Sequence, residues 1–148
     1  MSFSNIIKSM DQDFFQEVLS SCPRKPRETL FARFGIARNR KKVSTLLPGK
    51  DPARAAKLKS ALGAVDVEDE QGQQLAEEVL RLYLLKRRQI LAHAMDHLEV
   101  NHEEGLTEED VDFAAMSEPD RQALRDALAV DHDPQDVDLY IAYMVASS

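Results

Sequence analysis

Residues Glu68–Asn101 read EDEQGQQLAEEVLRLYLLKRRQILAHAMDHLEVN. Leu75, Val79, Leu80, Leu82, Tyr83, Leu84, Ile90, Leu91, Ala94, Met95 and Leu98 recur at helical spacing and cover well over a third of a helical circumference. A helix apolar over so wide a face is packed on by several neighbours. The stretch therefore predicts one long central helix over about 68–101, ended by Gly105.

Shorter helices are expected on both sides. Ser4 is the expected N-cap of a helix over Asn5–Ser21, with Ile6, Ile7, Met10, Phe14 and Val18 on one face and Pro23 and Pro26 stopping it. A short helix over Arg27–Phe34 is closed by Gly35, which suits a left-handed C-terminal cap. Ile36–Leu47 is a further helical stretch ended by Pro48-Gly49, and Asp51-Pro52 opens another that runs to Gly63. After Gly105, Thr107, Ser117 and Asp133 each read as the cap of a short helix. Val137, Tyr140, Ile141, Met144 and Val145 give the last of these an apolar face.

Composition supports the same class. The chain has 148 residues, 43% hydrophobic and 30% charged, with only 5 Gly and 6 Pro. That suffices for a core, excludes wholesale disorder and favours helix over strand. The expectation is an all-α fold: a single compact bundle of about six or seven helices around one long central helix, as one domain over 1–148. Within it lie a basic helical segment 24–62, the central helix and an acidic short-helix segment 106–148. The lone Cys22 cannot form an internal disulfide and is expected at a helix end, tucked against the core. The opening MSFSNIIKSMDQDFF lacks the pattern of a signal peptide, and no apolar run approaches the ~18 residues of a membrane span. The expected location is cytoplasmic, with no membrane contact.

The charge pattern is the most informative feature. The net charge is −7, yet Arg24–Lys59 holds twelve Lys/Arg against Glu28 and Asp51. From Asp96 onward there are fifteen Asp/Glu against Arg121 and Arg125. Part of the acid has a structural reason: Glu108, Glu109, Asp110, Asp120, Asp133 and Asp136 fall in expected first turns, where the helix dipole favours them.

Four motifs carry candidate chemistry. The first is Arg38-Asn39-Arg40-Lys41-Lys42, within a helix-turn-helix outline at 27–47. Arg33, Arg38, Arg40, Lys41 and Lys42 would meet phosphates or a partner's carboxylates, and Asn39 a base edge. Lys41 and Ser44 depart from that pattern, because they fall where apolar residues would seat the second helix. The second is His93, His97 and His102, since imidazoles at i and i+4 share one helix side and can share a metal. HExxH is absent, and a half-buried histidine with one hydrogen bond is the plainer reading. The third, the calcium-like spacing of DHDPQDVD, fails because Asp136 and Ala142 stand where an EF-hand needs Gly and an acid. The fourth is catalysis, for which GxSxG, GxxxxGK[ST] and GxGxxG are all missing from the sequence.

These observations point to a small non-enzymatic adaptor or regulatory protein with no cofactor. It would act through protein–protein contacts between segregated basic and acidic faces, and such faces also permit self-association. The alternative is a DNA-binding regulator that uses residues 27–47.

Overall fold

The computed structural model describes residues 2–36 and 52–148. It is all-α: the described residues form eight helices and no strand. Contacts divide them into an N-terminal unit ending at Tyr83 and a C-terminal unit beginning at Leu84. None of the helices is long and apolar enough to cross a membrane.

The N-terminal unit opens with α1 (Phe3–Ser9) and α2 (Gln12–Ser20), where the apolar spacing predicts one helix. The break has a local cause. Met10 is extended, and the Asp11 carboxylate accepts from the Phe14 amide at 2.7 Å, which caps a new helix. Ser2, not Ser4, caps α1. Ser4 is buried, and its hydroxyl accepts from Gln73 Nε2 at 2.8 Å while its amide donates to Gln73 Oε1 at 3.3 Å.

Next come α3 (Arg24–Arg33), α4 (Pro52–Gly63) and α5 (Glu70–Leu85). Gly35 ends α3 as expected, with φ +68°. Its amide donates to Ala32 O at 3.1 Å and that of Ile36 to Phe31 O at 2.9 Å, the paired bonds of a Schellman turn. α4 packs on α1 and α2, and Lys59 Nζ on α4 donates to Lys8 O at 3.2 Å near the end of α1. Phe14 and Tyr83 meet edge-on at 5.7 Å, a geometry that contributes ~0.5–1.5 kcal/mol beyond the area buried. Cys22 is buried at the end of α2 and lines a groove of about 300 Å³ with Leu30, Leu75, Val79 and Leu82.

The expected central helix over 68–101 is two helices, α5 and α6 (Arg88–His97). Arg87, between them, has φ −117° and ψ 48°. The sequence holds the reason. In one unbroken helix the apolar stripe through Leu80, Leu84 and Leu91 would pass through Arg87 or Arg88. Burying an unpaired guanidinium costs far more than breaking the helix.

The C-terminal unit adds α7 (Glu118–Leu128) and α8 (Pro134–Ser147), which pack on each other and on α6. Ser117 accepts from the Asp120 amide and Asp133 from that of Gln135, so both expected caps are present, each followed by a proline in the first turn. The helix expected at Thr107 is not formed. Thr107 Oγ1 accepts from the amide of Glu109, two residues on, and that local turn competes with a helix start. Phe113, Leu124, Leu128, Val137, Tyr140 and Ile141 form the core with Ile90, Ala94 and Met95. Burial pushes the Tyr140 phenol far above the usual tyrosine range.

Candidate functional site

The basic knot Arg38, Asn39, Arg40, Lys41 and Lys42 lies outside the described residues, as does most of the helix expected over 36–47. Arg33 is described: it is exposed in the last turn of α3, where the helix dipole favours a cation. Elsewhere on α3, Arg24 pairs with Glu28 at 2.8 Å. Arg27 is buried at 8% exposure; its Nη1 donates to the Cys22 carbonyl at 3.3 Å, and its Nε meets no acceptor.

In the C-terminal unit the acid is only partly balanced. Arg87 meets Asp136 at 3.1 Å, Arg88 meets Glu104 at 2.9 Å, Arg121 meets Glu118 at 3.4 Å and Arg125 meets Asp138 at 2.9 Å. Residues 84–148 carry five Lys/Arg against fifteen Asp/Glu, so most carboxylates have no cation to meet within that segment. Glu108, Glu109, Asp110 and Asp112 are all exposed, close in sequence to the exposed Leu106.

Two of the three candidate metal ligands, His93 and His102, are drawn into separate hydrogen-bonded pairs. His93 Nδ1 lies 2.8 Å from Nε2 of His132, a residue that the sequence pattern did not single out. His132 is 39 positions away, so no local spacing could have revealed the pair. Burial, and secondarily the neighbouring His93 imidazole, holds His132 below the usual imidazole range, while Asp131 and Asp136 oppose the shift. His97 is exposed. His102 is engaged on both nitrogens. The Gly105 amide donates to its Nδ1 at 2.9 Å, so the proton sits on Nε2 and is donated to Asp96 Oδ1 at 2.6 Å. Among the described residues, no group of three or more His, Cys, Asp or Glu is arranged to hold a metal.

The loop around His102 is built by its backbone. Glu103 and Leu106 exchange amide–carbonyl bonds at 2.8 and 3.0 Å across Glu104 and Gly105. Both central residues have positive φ, 53° and 86°, which defines a type I′ turn. The turn sets Glu104 beside Arg88 and the Gly105 amide beside His102.

Comparison with protein-family models, curated proteins and solved structures returned no match to this chain.

Proposed function

We propose that this chain is a small non-enzymatic adaptor that engages a protein partner of complementary charge. The observation that supports this most directly is the surplus of carboxylate in the C-terminal unit, above all the exposed run Glu108, Glu109, Asp110 and Asp112 beside Leu106. Charge of one sign on a surface speeds and orients encounter with an oppositely charged partner. An exposed leucine next to it offers apolar area to hold the complex once formed. The basic segment 24–62 would serve a second, acidic partner or the acidic unit of another copy. On this reading the protein works in the cytoplasm.

The test uses two labelled probes, a lysine-rich peptide and a duplex DNA, each titrated with protein across a salt series. The expected result is peptide binding that weakens with salt and is lost when Glu108, Glu109, Asp110 and Asp112 are changed to their amides. Peptide binding that ignores those changes overturns the proposal. Duplex binding that falls steeply with salt and disappears when Arg40, Lys41 and Lys42 become Glu would favour the DNA-binding alternative instead. That alternative draws on the Schellman turn at Gly35, which ends α3 three positions before Arg38 in the sequence.

A further inference from the structure

One cleft in the C-terminal unit runs against the charge of its surroundings. It encloses about 380 Å³ and is lined by Lys86, Arg87, Arg88, Gln89, His132 and Asp136, among others. Of the five Lys/Arg in residues 84–148, three stand consecutively at this cleft. Three cations face one carboxylate, with an imidazole beside them.

The cations are not equally committed. Arg87 and Asp136 are both well shielded, at 26% and 17% side-chain exposure, and hold each other. Arg88 and Glu104 form an exposed pair, at 51% and 70%, and such a pair contributes only ~0–1 kcal/mol. Lys86 is exposed and makes no ion pair among the described residues. Two positive groups can therefore turn to a stronger anion at little cost. No side chain caps the first turn of α6, whose residues Arg88, Gln89 and Ile90 also line the cleft. Phosphate matches this set: it accepts from a guanidinium fork, an ammonium and an imidazolium together.

We propose that this cleft binds a phosphate group, held by Lys86, Arg88 and the protonated imidazole of His132, while Arg87 stays on Asp136. His132 makes the site respond to acidity. It faces His93 from α6 at 2.8 Å, the Asp131 and Asp136 carboxylates, and the three cations that line the cleft. A bound phosphate favours the charged ring. By reciprocity, phosphate raises the pH at which His132 titrates.

The experiment is proton NMR of the imidazole C2–H resonances of the full chain, followed across pH. The media are chloride, inorganic phosphate and phenyl phosphate at matched ionic strength, and His93→Asn and His132→Asn assign the signals. The expected result is a His132 titration midpoint about half a unit or more higher in the phosphate media. That corresponds to a ~3-fold preference of the anion for the charged ring. A Lys86→Gln/Arg88→Gln double variant changes exposed side chains only, and unchanged circular dichroism would establish that it folds. It should lose the rise. A larger rise with phenyl phosphate assigns the site to a phosphorylated organic ligand, and equal rises assign it to free phosphate. Superimposable curves in all three media, or a rise that survives in the double variant, overturns the proposal.

Discussion

The backbone of Gly105 lies directly against Leu91 of α6. A Cβ placed on Gly105 would run into the Leu91 side chain and come within 2.7 Å of the Ala92 amide nitrogen. Gly105 also has φ +86°, a conformation that L side chains resist. Backbone cannot retreat as a flexible side chain would. Gly105→Ala should therefore destabilise the protein by about 2 kcal/mol or more, from strain and overpacking together. A lower urea midpoint with an unchanged slope would agree with this. A change within ~0.5 kcal/mol, the range of ordinary surface substitutions, would contradict it.

Glu99 offers the opposite opportunity. It follows the last turn of α6 with φ +58°, and the Val100 amide donates to Met95 O at 3.0 Å, as in the turn at Gly35. A glutamate thus occupies a left-handed position that glycine fills without strain. Glu99→Gly should raise stability by ~0.5–1 kcal/mol, the relief of strain exceeding the extra entropy of the unfolded chain. Thermal unfolding would register it as a higher Tm, and a lower Tm would count against the reading.

Gln73 ties α5 to the start of α1. It serves both polar groups of buried Ser4 and also donates to the Asp66 carbonyl at 3.1 Å. Gln73→Ala leaves the part-buried Ser4 amide without its acceptor, while the Ser4 hydroxyl keeps Ser2 Oγ at 3.1 Å, and should cost ~1–3 kcal/mol, whereas Ser4→Ala removes one partner and should cost less. In the double variant the losses should fall short of their sum. Strict additivity in a double-mutant cycle would mean that the two residues do not act as a unit.

The pH dependence of stability has a defined sign. Unfolded, an imidazole titrates near 6.5; in the fold His132 titrates lower. On acidification the unfolded chain takes up this proton first. The contribution is present above 6.5, is lost as pH falls through that value, and stops changing below the folded pKa. Urea midpoints compared at neutral and mildly acidic pH should therefore fall less in His132→Asn than in the parent chain. Equal falls would remove His132 from the account.

The helical class was legible because it rests on composition and local periodicity, both read directly from residues such as Leu75, Val79 and Leu80. The capped starts at Ser117 and Asp133 were legible for the same reason: cap and amide lie within three residues of each other. Interruptions were harder to see. Asp11 and Arg87 each sit inside a run whose apolar spacing continues across them, and the break shows only in the cap that Asp11 makes to the Phe14 amide and in the guanidinium that Arg87 would carry into the apolar stripe. The site was less legible still. His93 with His132, and Arg87 with Asp136, are joined by folding and not by spacing. The i, i+4 spacing of His93 and His97 describes a helix side and says nothing of what else reaches it, so the partners of His93 and His102 were not legible in it.

Cys22 gives the molecule an internal clock. It is the chain's sole cysteine, and the residue is 3% exposed. Little of the residue is open to an aqueous disulfide reagent, so labelling should quicken whenever the groove lined by α3 and α5 widens. The rate at which the native protein is labelled therefore reads the opening equilibrium of the N-terminal unit directly, without denaturant. The same reading, repeated with and without a bound partner, would show whether engagement elsewhere on the chain tightens that unit.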